Sequence, residues 1–163
     1  MNARTVIVTD GDQRAALAVV RSLGAAGYRC LVVSPSGKSI AGASRYAERE
    51  LGAPSPLNAP GAFADAVVGL ARDAEATLLI PITEPAMLAL LPAREQLDGC
   101  VIPFPGLATF RALSDKQRLL EEGAKLGIAV PTQVVVQSAA SAPGVAAETL
   151  GYPLVLKPAR SVG

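Results

Sequence analysis

The first part of the sequence alternates between apolar and amphipathic segments in a way that few folds accommodate. Thr5–Thr9 (TVIVT) is a β-branched run that ends at the turn sequence DGD, and Cys30–Val33 (CLVV) is a second apolar run. Between them, apolar residues recur every three or four positions, which predicts a helix that ends near Gly27. Two strands joined by a helix over about 30 residues form a βαβ unit, and such a crossover requires a parallel sheet.

The same alternation continues further along the chain. Helices are predicted at Phe63–Arg72 and Glu84–Leu91, and strands at Glu48–Leu51, Thr77–Ile80 and Cys100–Ile102. Apart from the first of these, which is expected at an edge, the predicted strands carry no charge, as in sheets that are buried on both sides. We therefore predict an α/β fold: a Rossmann-like open parallel sheet with helices on both faces.

The pattern changes in the last third of the sequence. Ser114 and Gln117 have the spacing of a capping box, which predicts a helix that begins after Ser114 and continues to Leu126. Strands are predicted at Gln133–Val136 and Leu154–Lys157, with a helix at Pro143–Leu150 between them. The change predicts two domains, residues 1–112 and 113–163.

Charge and histidine content exclude several classes of protein. The 15 basic and 14 acidic residues give a net charge of +1, which offers no basic surface to nucleic acid or an anionic membrane. Histidine is absent from the sequence, which excludes Ser-His-Asp hydrolases and His-ligated zinc enzymes. Cys30 and Cys100 match no metal-binding or redox spacing and are interpreted as buried apolar residues. Arg4 precedes only a short apolar run that ends at Asp10, so no signal peptide is recognised and a cytoplasmic location is expected.

The turn after the first predicted strand lies where many open α/β sheets bind a ligand. Gly11 alone does not make a dinucleotide fingerprint, and Asp12 would place negative charge where a pyrophosphate must lie. A receiver-type Mg²⁺ site would need an Asp after a later strand, and the sequence TLLIPIT offers none. The simpler interpretation is that Asp10 ends the strand and Asp12 caps the helix.

Three other polar residues stand where predicted elements begin or end. Glu84 follows a strand and precedes a helix, so it either binds a substrate amine or hydroxyl or complements the helix dipole. Lys116 lies in the first turn of a helix, where a cation is unfavourable by a few tenths of a kcal/mol, roughly. Lys157 ends an apolar strand before Pro158 and either faces a cleft or extends to solvent. Spacing alone leaves these alternatives open.

The segment from Leu113 to Gly163 resembles the start of the ATP-grasp fold of carboxylate–amine ligases. The matching sequence is LSDKQRLLEEGAKLGIAVP, followed by a predicted strand and then by LGYPLVLKPARSVG. The preceding part, with TVIVTDGDQRAALAVVRSLGAAGYR and TLLIPITE, resembles the Rossmann-like domain found before ATP-grasp domains. The resemblance covers essentially the whole chain and is greatest to the carbamoyl-phosphate-synthetase-like and amino-acid ligase branch.

The resemblance implies a full-length enzyme that uses ATP and Mg²⁺ as cofactors, phosphorylates a carboxylate and lets an amine attack the product. Neither cofactor is expected to bind tightly to this chain alone. The resemblance also implies that Lys116 and Lys157 contact the ATP phosphates, as compact ammonium groups can. Ser161 and Gly163 would belong to the flexible lid over the triphosphate, where small residues let the backbone approach phosphate oxygens. Arg160 in the same loop either adds a charge or is solvated.

The metal-binding and adenine-binding groups of the family are expected beyond Gly163. The chain is therefore expected to contain no catalytic or metal-ligating residue and to be an inactive amino-terminal fragment of a ligase. The implied partners are small-molecule carboxylates and amines, with neither nucleic acid nor membrane. The alternative is a stand-alone module of the same fold that binds a small ligand near Gly11 and Glu84, or that forms a homodimer through exposed strand edges.

Overall fold

The computed structural model describes residues 4–136, 138, 140 and 150–160. The chain divides into two compact units, Met1–Leu107 and Ala108–Gly163. Within the described residues, no helix has the length and apolar character needed to cross a membrane.

A four-stranded parallel sheet forms the centre of the first unit. Its strands are β1 (Thr5–Val8), β2 (Arg29–Ser34), β3 (Ala47–Gly52) and β4 (Leu78–Ile80), in the order β3-β2-β1-β4. Val6 of the central strand β1 pairs with Cys30 on one side and with Leu78 on the other. The first four strands predicted from the sequence, including the edge strand at residues 48–51, are confirmed.

Four of the five α-helices of the described residues lie where the sequence predicts a helix, and the one at Leu107–Ser114 was not predicted. The α-helices are α1 (Arg14–Ala25), α2 (Pro60–Asp73), α3 (Glu84–Leu90), α4 (Leu107–Ser114) and α5 (Lys116–Lys125), with a 3₁₀ helix at Leu91–Gln96. The chain leaves α1 through Gly27, whose φ of +88° is a conformation that glycine adopts with little strain. The predicted end of this helix is confirmed.

Both faces of the sheet are buried. One face forms a core with α1, built from Val6, Val8, Cys30 and Val32 of the sheet and Ala16 and Val20 of the helix. Ile7, Leu31 and Leu79 point to the other face, because successive residues of a strand alternate, and they are at most 3% exposed. The chain moves across the sheet in one direction from β1 to β2 and in the opposite direction from β3 to β4. Because both crossovers are right-handed, α2 is expected on the face opposite α1. The predicted α/β fold with helices on both faces is confirmed.

The strand predicted at Cys100–Ile102 is wrong in extent. Only Val101 pairs with the sheet, as an isolated parallel bridge to Leu78. Its N–H donates to the Thr77 carbonyl (3.1 Å), and its carbonyl accepts from the Leu79 N–H (2.9 Å). Pro103 follows closely and has no N–H to donate, so the pairing cannot be extended.

The predicted capping box at Ser114 is also wrong, by one residue. Ser114 is the last residue of α4, and Asp115 in an extended conformation is the N-cap of α5. The Gln117 side chain donates to Glu121 (2.9 Å) rather than returning to the start of the helix. The helix ends at Lys125, and Gly127 follows with a φ of +76°, close to the predicted end.

The segments Gln133–Val136 and Leu154–Lys157, which were predicted as strands, are not strands in the structure. A strand needs a paired neighbour, and these two segments instead line the same groove of the second unit. The helix predicted at Pro143–Leu150 lies outside the described residues except for Leu150.

Candidate functional site

Asp10 connects the loop after β1 to the loop after β4. Its carboxylate accepts hydrogen bonds from Thr9 Oγ1 (2.5 Å), Ile82 N (3.2 Å), Thr83 N (3.2 Å) and Thr83 Oγ1 (2.8 Å). Its φ of +57° is left-handed, a conformation in which Asp is more common than most residues. The order in which strands are added to the sheet reverses between the neighbouring parallel strands β1 and β4. The loops that follow these two strands therefore flank the position where open α/β sheets bind ligands.

Glu84 lies beside this position. Thr83 is the N-cap of α3, with its hydroxyl oxygen accepting from Ala86 N (3.4 Å), and Glu84 is the first residue of the helix. Glu84 is half-buried, and it is the acidic residue of the first turn of α3. The location expected from the sequence is therefore the one observed, while a role in binding substrate stays a prediction.

Gly11 is required by the packing around it. Its N–H donates to the Val33 carbonyl (3.0 Å), and its carbonyl accepts from Ala41 N (3.0 Å). A Cβ at this position would lie 2.3 Å from Ser39 Oγ and 2.7 Å from Val32 Cγ1. The absence of a side chain is thus explained by the fold, and the predicted contact of Gly11 with a ligand stays a prediction.

Asp12 does not cap α1, contrary to the expectation from the sequence. The N-cap is Gln13, whose side chain makes no capping bond and whose N–H donates to the Asp10 carbonyl (2.8 Å). This turn leaves Asp12 exposed, one residue too early to reach the amides of the first helical turn. Asp12 lines a cavity of about 540 Å³ together with Lys38 and Glu50.

Glu50 is held in place in that cavity. Burial alone would raise the pKa of Glu50, but hydrogen bonds from the Ser39 side chain, Ser34 Oγ (2.7 Å) and Ser39 N (3.1 Å) outweigh it and lower the pKa. Both carboxylate oxygens therefore have protein donors, which favours a structural role for Glu50.

The second unit brings Lys116 and Lys157 to one groove of about 590 Å³. Lys116 is the first residue of α5, and Lys157 lies in the segment without regular secondary structure that follows Leu150. Residues 131–136 form a further part of the groove wall. Two lysines that line one groove suit a polyphosphate ligand in chemistry, because an ammonium group neutralises phosphate oxygens without requiring a planar contact. That the two lysines contact phosphate stays a prediction.

Asp115 and Arg160, adjacent to these lysines, form an ion pair that was not recognised from the sequence. Asp115 Oδ1 accepts from Gln117 N (3.1 Å) and Arg118 N (3.2 Å), and its Oδ2 accepts from Arg160 Nε (3.0 Å). These donors, Arg118 N first and the Arg160 guanidinium next, lower the pKa of the Asp115 carboxyl. No local sequence pattern indicates this pairing, because the two residues lie 45 positions apart.

The remaining predicted site residues, Ser161 and Gly163, lie outside the described residues. Among residues 4–136, 138, 140 and 150–160, no group of three or more His, Cys, Asp or Glu side chains is placed to hold a metal ion.

Comparison with known proteins gives a match in structure and none in sequence. The sequence matches no protein family, and it matches no curated protein. The structure is similar to L-amino acid ligase from Bacillus licheniformis, with a TM-score of 0.72 and 20% identity over 99% of this chain and 39% of the ligase. It is similar to N5-carboxyaminoimidazole synthetase from Staphylococcus aureus complexed with ADP, with a TM-score of 0.68 and 19% identity over 96% of this chain and 39% of the synthetase.

A third similarity is to the biotin carboxylase domain of a single-chain bacterial carboxylase, with a TM-score of 0.60 and 20% identity over 88% of this chain and 34% of that domain. All three are ATP-grasp proteins, and the chain is similar in fold to the part of each that it covers. The resemblance to the ATP-grasp superfamily inferred from the sequence is confirmed at the level of the fold. The chain spans between 34% and 39% of the length of these proteins.

Proposed function

We propose that this chain is part of an ATP-dependent ligase, with residues 1–112 as the pre-ATP-grasp domain and residues 113–163 as the start of the ATP-grasp domain. The ligase would phosphorylate a small-molecule carboxylate and join it to an amine, with ATP and Mg²⁺ as cofactors. The chain by itself would be inactive, because the described residues hold no metal site. The observation that carries the proposal is the shared groove of Lys116 and Lys157 within an ATP-grasp fold.

The residues of the candidate site form three pairs with different roles in this proposal. Lys116 and Lys157 bind the phosphates, and Ser161 and Gly163 belong to the loop that covers them. Gly11 and Glu84 belong to the substrate site at the carboxyl edge of the sheet, where the turn after β1 and the start of α3 lie.

The phosphate role can be tested by calorimetry on the chain itself with ADP and with inorganic tripolyphosphate. Lys157→Gln should weaken binding of tripolyphosphate by about 10- to 100-fold, since a hydrogen bond to a charged group contributes roughly 1.5–3 kcal/mol. Lys125→Gln is the matched control, because it removes the same charge from an exposed pair with Glu122 (2.7 Å) outside the groove. Equal affinities of the Lys157 variant and the wild type, or no binding by the wild type at millimolar tripolyphosphate, would refute the proposal.

One observation favours dimerisation as a second candidate function. Tyr152, Val155 and Leu156 are about four-fifths exposed, at 80%, 79% and 82%, an unusual degree for neighbouring large apolar side chains. A second copy could cover them, so sedimentation velocity should show a concentration-dependent dimer. A monomer throughout the micromolar to millimolar range would eliminate this candidate.

A further inference from the structure

Two hydrogen bonds join the segment that contains Lys157 to the start of α5. The Lys116 N–H donates to the Ala159 carbonyl (2.9 Å), and Arg160 Nε donates to Asp115 Oδ2 (3.0 Å). Both contacts lie within three residues of Lys157, and both end at the residues that begin α5. From these contacts we infer that Asp115 and Arg160 are positioning residues, which hold Lys157 and Lys116 at the same groove. This inference rests on the proposed phosphate-binding function.

The burial of Asp115 distinguishes this ion pair from an ordinary surface pair. Exposed ion pairs contribute little, because water screens both charges. Here the Asp115 side chain is only 10% exposed, whereas the Arg160 side chain is 66% exposed. Release of Arg160 would leave one oxygen of a largely buried carboxylate without its partner, which disfavours detachment of the segment.

The geometry of the Asp115 carboxylate allows it both to cap α5 and to pair with Arg160. Asp115 Oδ1 accepts from Gln117 N and Arg118 N, two of the amides that a helix start leaves without a partner, while Oδ2 remains for Arg160. The Lys116 amide is another such donor, and its acceptor is the Ala159 carbonyl. Hydrogen exchange at the Lys116 amide therefore reports on the attachment, and exchange at the Gln117 amide reports on the cap.

Asp115→Asn separates these two functions. Asparagine is as good an N-cap as aspartate, so its single oxygen can satisfy the helix amides. The NH₂ group of asparagine then faces Arg160 Nε. Because both groups are hydrogen-bond donors, the contact between residue 115 and Arg160 is lost. We expect the Lys116 amide to exchange at least about tenfold faster in Asp115→Asn and in Arg160→Gln than in the wild type. The Gln117 amide should stay protected in both variants, because each keeps an acceptor oxygen at residue 115. Arg160→Lys should restore part of the protection, and Lys125→Gln should leave exchange unchanged.

Tripolyphosphate binding distinguishes a positioning role from simple electrostatics. Asp115→Asn removes a negative charge near an anion site, so charge alone predicts tighter binding. Loss of positioning predicts binding weaker by about 3- to 10-fold, because a smaller fraction of the chain then holds both lysines at the groove. Circular dichroism of each variant shows whether the overall helix content is retained, and protection of the Gln117 amide shows whether the start of α5 remains folded.

Either of two results would overturn the inference. Unchanged Lys116 exchange in both Asp115→Asn and Arg160→Gln would show that the ion pair does not hold the segment. Unchanged or tighter tripolyphosphate binding by Asp115→Asn would show that the pair does not position the lysines. If the wild-type chain does not bind tripolyphosphate, the proposed function fails, and Lys116 exchange alone then decides whether the attachment exists.

Discussion

Replacing Asp10 with alanine should destabilise the first unit substantially. The change removes the acceptor of the Ile82 and Thr83 N–H groups and of the Thr83 hydroxyl. An unpaired backbone N–H costs about 1–3 kcal/mol, and these half-buried amides belong at the lower end, so their combined cost is about 2 kcal/mol. Alanine in the left-handed conformation at φ +57° adds about 1 kcal/mol. The expected loss in the free energy of unfolding is therefore about 3 kcal/mol.

Two matched variants separate the side-chain and backbone contributions. Asp10→Asn keeps tolerance of the left-handed conformation and one acceptor oxygen, so it should cost the least, about 1 kcal/mol. Asp10→Gly removes the acceptor but adopts a positive φ without strain, so it should lie between asparagine and alanine.

Urea denaturation followed by far-ultraviolet circular dichroism measures these free energies. Thermal unfolding should give the same ranking, with the alanine variant melting at least about 10 °C lower, since 1 kcal/mol corresponds to roughly 4–8 °C in a domain of this size. An alanine variant within about 0.5 kcal/mol of the wild type would refute the role of Asp10 in joining the two loops. Alanine and glycine variants of equal stability would refute the backbone contribution.

Two further predictions concern packing and buried thiols. Gly11→Ala should lower the free energy of unfolding by about 1–3 kcal/mol, because its Cβ would lie 2.3 Å from Ser39 Oγ. Gly69→Ala should raise the free energy of unfolding by about 0.5–1 kcal/mol, because Gly69 lies within α2 and has open space around it. Similar urea midpoints for both variants would contradict this prediction. Burial raises the pKa of the Cys30 and Cys100 thiols. The unfolded chain therefore loses these protons first, and the free energy of unfolding should decrease as the pH rises above about 8.5. Iodoacetamide should accordingly modify both thiols much faster in urea than in the native protein, and equal rates would show that the thiols are accessible.

The sheet of the first unit could be predicted because its signals are local. Each strand is a short apolar run and each helix has a periodic apolar face, as α1 shows with Ala16 and Val20. The errors arose where the outcome depends on a neighbouring element. Ser114 has a valid capping pattern, but α4 extends through it, so the cap passes to Asp115. Asp12 has the right chemistry for a cap, but the turn at Asp10 moves the start of α1 one residue further along.

The candidate site was predictable only in part. Lys116 and Lys157 were found because both stand at the ends of predicted elements, and the structure brings them to one groove. The pairing of Asp115 with Arg160 and the bonds of Asp10 to Thr83 join residues 45 and 73 positions apart. Such contacts depend on how distant segments meet in three dimensions, and no local spacing encodes them.

The strand order has a consequence for the rate of folding. The central strand β1 pairs with β2 soon after it along the chain, but on its other edge it pairs with β4, and four elements lie between Val6 and its partner Leu78 in the sequence. Closing such a long loop is slow, so the β1–β4 edge is expected to form late, after the transition state. Contacts that form late affect the rate of unfolding more than the rate of folding. Changes at Asp10, which joins the loops of these two strands, should therefore shorten the lifetime of the native state and leave the refolding rate almost unchanged.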